Sequence, residues 1–337
     1  MDWKTAGEII VRTARSYRLP KSGYVKLGYA CNNCCRFCTA AWKHEAGDRS
    51  TEELLLEFDK LLHNEGIARL VLSGGEPTIR LDIVRLVSYA REHGAKQISL
   101  QTNARALSDA MLVRELYEAG VTSCFVSIHG CDAAIHDSLT GRPGSFSQTC
   151  AGILNLLERG IAVTTNTVAV TTNVQQLPDI VSFLAHSFSG LQEIKLSYPN
   201  LQGGAADLLN ELVLPLWQVA PFMLAAIKQG DCVGVRVTTE FLPPCLLATD
   251  CNRASEIDRP VYHLSDVKFT IPEIDHTTDL RPRFFPELCD ECPLCSNCCG
   301  IHPLHRAAFG EEGAHIPPGR LVLAGAEAAD VTSPDIS

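Results

Sequence analysis

The chain has 337 residues, 46% of them apolar, and a formal net charge of -10. That length supports one large core or a domain with an appended module, and the acidic balance excludes a general nucleic-acid binder with a basic face. No apolar run reaches the length of a membrane span, and residues 1–20 scatter Lys4, Arg12, Arg15 and Arg18 among their apolar positions with no cleavage site, so no signal peptide is read there.

Residues 5–18 read as a helix lying over one end of the fold. Residues 24–30 read as strand one and 51–64 as a helix, with Ser50 as N-cap and Glu53 completing a capping box. Strand two is expected at 68–73, a helix at 81–93 ended by Gly94, and strand three at 97–102. A helix at 108–119 ended by Gly120, strand four at 122–129, a helix at 146–159 and strand five at 161–170 follow. The regular part closes with a helix at 177–186, strand six at 192–197 and a long helix at 212–229. Strands alternating with helices imply right-handed βαβ units and a parallel sheet. Six units predict a partial (β/α)6 TIM-type barrel, with chemistry gathered at the C-terminal ends of the strands. After about residue 230 the alternation stops, and seven prolines from Pro243 to Pro293 break the chain into a loop-rich module that needs a staple such as metal.

Fifteen cysteines without an export signal point to metal in a reducing compartment, and the expected location is the cytoplasm. Cys31, Cys35 and Cys38 have the spacing C-x3-C-x2-C on the loop that leaves strand one. Three thiolates on one short loop can hold three irons of a [4Fe–4S] cube and leave the fourth iron open, whereas a plain electron carrier closes its cluster with four cysteines. A structural zinc loop is the alternative on spacing alone. Downstream, strand two runs into Ser73-Gly74-Gly75-Glu76-Pro77. The two glycines let backbone come close to a charged group, and Glu76 can accept hydrogen bonds; an ordinary strand-to-helix turn is the plainer reading.

These two stretches, with the aromatic Phe37 just before the last cysteine, resemble the cysteine loop and GGEP motif of the radical S-adenosylmethionine (radical SAM) superfamily. The resemblance implies that Cys31, Cys35 and Cys38 are the catalytic cluster ligands and that the open iron chelates the amino and carboxylate groups of S-adenosylmethionine (SAM). It implies cleavage of SAM by one electron to methionine and a 5′-deoxyadenosyl radical. Phe37, Gly74, Gly75, Glu76 and Pro77 are then expected at SAM, with Glu76 on its amino group. Thr102, Asn103, Ser127 and Asn166 are expected at its ribose or carboxylate, and Lys195, Ser197 and Tyr198 near its adenine. His129 reads either as a substrate ligand or as a histidine satisfied by a neighbouring strand. The polar segment 136–146 is expected as a loop over the barrel mouth, where Arg142 meets a substrate anion or makes a surface ion pair.

Cys289, Cys292 and Cys298 have the spacing C-x2-C-x5-C, and Cys245 follows two prolines. This is similar to part of the auxiliary-cluster region of the SPASM and twitch branches of that superfamily. It implies one auxiliary [4Fe–4S] cluster on Cys245, Cys289, Cys292 and Cys298. His302 stands where a full SPASM region has another cysteine, so two auxiliary clusters are not expected. Cys251, Cys295 and Cys299 keep the ligand set open, and a four-cysteine zinc site is the alternative. Cys124, Cys131, Cys150 and Cys232 read as buried small side chains.

The domain reading is an N-terminal helix at 1–23, a radical SAM barrel at 24–230, an auxiliary-cluster module at 231–316 and a tail at 317–337. The implied activity is hydrogen abstraction from a carbon of a small molecule (a sugar, aminocyclitol or other natural-product intermediate), giving oxidation, epimerisation or rearrangement. A peptide-modifying maturase is the alternative; the 30 residues before Cys31 are few for a leader-binding domain. An epimerase needs a hydrogen donor, for which Cys251, Cys124 or a spare cysteine of the last module is a candidate. An electron donor such as flavodoxin or ferredoxin is the expected partner, with neither nucleic acid nor membrane. An iron–sulfur carrier or scaffold without SAM cleavage is the alternative from another class, and a zinc-stabilised binding protein a third.

Overall fold

A computed structural model describes residues 22–40, 47–255, 262–265, 270–274, 284–290, 292, 294–295, 298 and 300–310. The expected helix at 5–18, Cys299 and the tail from 317 lie outside the described residues. Seven strands, β1 (Ser22–Lys26), β2 (Arg69–Ser73), β3 (Gln97–Thr102), β4 (Ser123–Ser127), β5 (Ala162–Val168), β6 (Glu193–Ser197) and β7 (Val237–Glu240), pair in chain order, every pair parallel. The sheet is an open, partial barrel. The far edge of β1 pairs with β8 (Tyr262–Ser265) instead of β7, and β9 (Thr270–Ile274) runs antiparallel beside β8. The α-helices of seven or more residues between strands are α1 (Thr51–Asp59), α2 (Ile83–Glu92), α3 (Ala110–Ala119), α4 (Ala133–Thr140), α5 (Ser145–Glu158), α6 (Leu177–Ser187) and α7 (Leu216–Val233), and α8 (Pro303–Phe309) lies in the cysteine-rich module. Among the described residues no helix is long and apolar enough to cross a membrane.

The local chemistry follows the sequence closely. Ser50 and Glu53 form the expected capping box, with Glu53 N–H on Ser50 Oγ at 3.2 Å and Ser50 N–H on Glu53 Oε2 at 2.9 Å. The helix then loosens into a π-helical turn at Lys60–Asn64. Pro215 precedes the first turn of α7, which starts four residues later than the expected 212. The parallel sheet also continues past residue 230, since β7 adds to β6.

The segment 136–146 differs from expectation. It is not a loop over the mouth but the end of one helix and the start of the next. Asp132 caps α4 by accepting from Ile135 N–H at 2.9 Å. Gly141, at φ 64°, ends that helix in the left-handed conformation glycine favours. Asp137 then accepts from Gly144 N–H at 2.6 Å, Phe146 N–H at 2.8 Å and Ser145 Oγ at 2.8 Å, which starts α5. Short polar side chains that satisfy backbone donors turned a glycine-rich stretch into a helix–turn–helix.

Side chains alternate between the two faces of each strand. Val25, Leu70, Leu72, Ile98, Leu100, Val126, Val163, Ile194, Leu196 and Val237 are fully buried. They form the layer against the helices, each worth roughly 1.5–3 kcal/mol of burial. The opposite set mixes Tyr24, Val71, Phe125 and Val168 with polar side chains that bond across strands. Lys26 Nζ donates to Ser73 Oγ at 3.1 Å, Ser73 Oγ donates to Gln101, and Ser197 Oγ reaches Asn166 Oδ1 at 2.6 Å and Glu240 Oε2 at 3.2 Å.

Burial alone would raise the Asp137 carboxyl, but its three hydrogen bonds outweigh burial and hold it below the usual carboxylate range. A carboxyl lowered on folding adds stability that is complete above its unfolded value and is lost as pH falls through the folded one. Urea unfolding from about pH 7 to about pH 3 should therefore show Asp137→Asn losing less stability with acid than the native chain. Equal losses would contradict this account of the turn.

Candidate active site

The cysteine loop leaves the C-terminal end of β1 and is gripped by the ends of other strands. Tyr29 and Ala30 donate their N–H groups to Asp48 Oδ1 at 3.0 and 3.1 Å. Gly75 N–H donates to Gly28 O at 2.9 Å and Glu76 N–H to Ala30 O at 2.8 Å. A Cβ on Gly75 would stand 2.1 Å from Ala30 O, and one on Gly74 (φ +128°) 2.2 Å from Gly28 O. The close approach these glycines permit is thus to the chain's own loop. Cys34 N–H donates to Thr140 O at 2.8 Å and Arg36 N–H to Leu139 O at 3.0 Å, which ties the loop to the end of α4. Gly204 N–H donates to Cys38 O at 2.9 Å, and a Cβ there would lie 2.1 Å from Arg36 O. Arg105, beyond β3, donates to Asn33 Oδ1 at 2.9 Å and to Asn32 O.

This grip sets the thiols of Cys31, Cys35 and Cys38 within electrostatic reach of one another. Burial pushes the Cys31 thiol up to about 11, and the Glu76 carboxylate and the Cys38 and Cys34 thiols add to the rise. Cys35 is raised further by burial and by Cys38, Cys31 and Cys34. Three half-buried thiols that repel each other as thiolates suit a cationic metal centre, which would replace their protons. Phe37 is buried with its ring edge-on to His129 at 4.7 Å.

Glu76 is buried at 3% exposure, and its carboxylate takes four donors from the chain. Oε1 accepts from Thr78 Oγ1 and Thr102 Oγ1, both at 2.6 Å, and from Thr78 N–H at 3.1 Å. Oε2 accepts from Asn103 N–H at 2.6 Å. Burial nevertheless raises this carboxyl, the hydrogen bonds opposing it. Among the described residues no ion pair reaches it. A buried carboxylate with a single donor on one oxygen and, among the described residues, no ion-pair partner fits an amino group brought by a ligand. Pro77 opens the short turn that Glu76 caps.

Ser127, at the end of β4, and Asn166, two residues before the end of β5, are register partners. Ser197 joins them through Asn166, and Lys195 lies on the same face, 4.0 Å from Glu193. Tyr198 is not brought to this group: its hydroxyl donates to Leu214 O at 2.8 Å, and its ring faces His305. His129 takes Val168 N–H on Nδ1 at 3.3 Å, the satisfied-histidine arrangement. Arg142 rests on Cys34 Sγ at 3.1 Å. Cys251 and Cys124 are buried in the core, Cys124 pushed up to about 12 by burial and then by Glu76.

At the second cysteine group, burial raises the Cys245 thiol, and Cys298, Cys292 and Cys289 raise it further. Cys295 feels Cys298 and Cys292. Burial raises the Cys251 thiol, and Asp250 adds to the rise. Sequence reasoning missed Asp48, Arg105 and the Gly203-Gly204 pair as supports of the cysteine loop. Only the glycine pair left a local signal.

An open parallel barrel whose braced loop carries three thiols near a buried carboxylate has the charges to suit a metal cluster and a cationic small molecule. The sequence profile of the radical SAM superfamily matches residues 25–184. The chain is 30% identical over 186 residues to an AdoMet-dependent heme synthase of Nitratidesulfovibrio vulgaris, covering 55% of this chain and 49% of that one. It is 31% identical over 189 residues to a mycofactocin maturase of Mycobacterium ulcerans, covering 56% and 49%. The chain spans about half the length of these curated relatives. The crystal structure of Streptococcus suis SuiB bound to the precursor peptide SuiA matches with a TM-score of 0.62 at 14% identity, covering 93% of this chain and 80% of that one, a likeness of fold. Residues 25–184 therefore form a radical SAM domain, and the cysteine-rich segment beyond it is consistent with an auxiliary-cluster region. The superfamily uses SAM and a [4Fe–4S] cluster, and the thiol trio and Glu76 fit both.

Gly75→Ala should drive a methyl group into the Ala30 carbonyl and displace the loop. The expected result is a folded chain, by circular dichroism, that retains about four fewer irons than the native one after anaerobic reconstitution. Native iron content in that variant would contradict the brace.

Proposed function

We propose that this chain cleaves SAM reductively on a cluster held by Cys31, Cys35 and Cys38 and abstracts hydrogen from a carbon of a polar small molecule. The observation that carries this reading is the polar concave face of the sheet under the cysteine loop, where Lys26, Gln101, Asn166, Lys195 and Glu240 take positions a packed barrel fills with apolar side chains. Hydroxyl and amino groups of a sugar or aminocyclitol would find further donors and acceptors on that face beside its cross-strand bonds.

When bound, the cluster and SAM together supply one-electron cleavage to methionine and a 5′-deoxyadenosyl radical. The chain's own residues bind and orient. Thr78 and Thr102 fix Oε1 of the Glu76 carboxylate and Asn103 N–H takes one position on Oε2, whose other lone pair would receive the SAM amino group. Ser127, Asn166 and Ser197 offer polar atoms to the ribose side, and buried Phe37 keeps water from the loop. Cys245, Cys289, Cys292 and Cys298 would hold a second [4Fe–4S] cube with no open iron, which suits electron transfer or stapling of the module. The burial of Cys124 and Cys251 counts against either as a hydrogen donor and leaves a spare cysteine of the last module as the candidate for an epimerase. A flavodoxin or ferredoxin in the cytoplasm is the proposed electron source. Likeness to a mycofactocin maturase and to peptide-bound SuiB supports a second reading, a peptide substrate on the same face.

Anaerobically reconstituted protein given dithionite and SAM should form 5′-deoxyadenosine, read by mass spectrometry, and Cys35→Ala should form none. About eight irons per chain are expected for two cubes. A native chain that binds iron but never cleaves SAM, with sugars, aminocyclitols or peptides present, would overturn the reading in favour of a carrier or scaffold. Glu76→Gln keeps the side chain's size, removes its charge and turns the oxygen that takes Asn103 N–H into a donor, with Oε1 still accepting from Thr78 and Thr102. It should weaken SAM binding by tenfold or more, since a hydrogen bond to a charged group is worth about 1.5–3 kcal/mol, with iron content unchanged. Equal SAM affinity in isothermal titration would contradict the role given to Glu76.

A further inference from the structure

We propose that the side-chain amide of Asn103 is a hydrogen-bond donor to the Cys31 sulfur and raises the reduction potential of the cluster that Cys31 helps to hold. This rests on the reading of Cys31, Cys35 and Cys38 as cluster ligands and gives Asn103 a task other than contact with SAM.

The sense of the amide is set by its surroundings. Asn103 Oδ1 accepts from Arg105 N–H at 3.0 Å, so the oxygen points along its own turn and the nitrogen faces the cysteine loop. Nδ2 carries two hydrogens and has two acceptors: Asn32 Oδ1 at 2.7 Å and Cys31 Sγ at 3.9 Å. The backbone on either side is pinned. Asn103 N–H donates to Glu76 Oε2 at 2.6 Å, and Asn103 O accepts from Thr149 Oγ1 at 2.9 Å. The loop is held toward the amide as well, because Arg105 donates to Asn32 O and to Asn33 Oδ1 at 2.9 Å. Asn103 is 8% exposed, so water competes little for the contact.

A donor at 3.9 Å makes a weak bond to a neutral thiol, and its strength grows with the negative charge on sulfur. Adding an electron to a cluster increases the charge on its ligand sulfurs. A donor fixed beside one of them favours the reduced form, and hydrogen bonds to the sulfurs are one of the determinants of cluster potential. The other donor to Cys31 Sγ, Asn33 N–H at 3.4 Å, belongs to the loop backbone. Asn103 supplies the side-chain donor, and a substitution can remove it. The amide neither accepts nor donates an electron; it shifts the balance of a reduction carried out by an external donor.

The test is a redox titration of the whole reconstituted chain followed by electron paramagnetic resonance, with the signal absent in Cys35→Ala assigned to the first cluster. Asn103→Ala should shift that cluster's reduction equilibrium about tenfold toward the oxidised form, or about 59 mV lower for one electron. Asn103→Asp keeps the shape and the bond from Arg105 N–H but presents an acceptor to the sulfur, so it should shift the potential in the same direction and further. It decides the matter if the alanine variant loses iron. Asn32→Ala removes the other partner of Nδ2 and should leave the potential unchanged. Native potentials in both Asn103 variants, with full iron content, would overturn the proposal alone. If Cys35→Ala retains every cluster signal of the native chain, the ligand reading fails and the proposal fails with it.

Discussion

The contact on which the rest of the site depends is between two strand ends. Gly74 and Gly75, leaving β2, lie directly against the backbone of Gly28 and Ala30, leaving β1. That packing has no room for a side chain, and two hydrogen bonds seal it. It fixes where the cysteine loop starts and delivers Glu76 to the same place. Glu76 then reaches across to β3 and binds Thr102 and Asn103. Three adjacent strand ends are locked by one short run of residues, and the thiols and the carboxylate are held in a common frame. The remaining grips, from α4, from Gly204 and from Arg105, close the loop on its outer side.

The arrangement is electrostatically unbalanced as it stands. A buried carboxylate and three thiols that raise one another sit together, and a buried negative charge without compensation is costly. Cationic iron and the amino group of SAM would each relieve part of it. The site is preorganised for charges it does not itself carry, and the apolar layer between sheet and helices supplies the stability that such an arrangement spends. On the proposed reading the polar side chains of the concave face belong to the same logic, because residues that bind a substrate cannot also pack a core.

Much of this was legible in the sequence because the signals were local. The rhythm of strands and helices, the capping box at Ser50, the C-x3-C-x2-C loop and the Gly-Gly-Glu-Pro turn all follow from neighbouring residues, and strand three matches to the residue. What stayed hidden was tertiary. Asp48 and Arg105 look like ordinary surface residues until the chain brings them to the loop. The glycines at 74 and 75 were read for closeness to a ligand, but their closeness is to backbone far away in sequence. The stretch 136–146 looked like a loop because glycine and polar residues dominate it, and Asp132 and Asp137 organise it into helices through their side chains. Tyr198 sits one residue past β6, where alternation turns it from the concave face toward the segment before α7.

The central claim is that the braced loop presents a cluster with an open iron beside Glu76. It is tested most directly by adding SAM to the dithionite-reduced chain and recording electron paramagnetic resonance spectra. The account predicts that SAM changes the signal of one cluster, the one missing in Cys35→Ala, and leaves the other as it was. A spectrum that SAM does not alter, in a chain with full iron content, would contradict it.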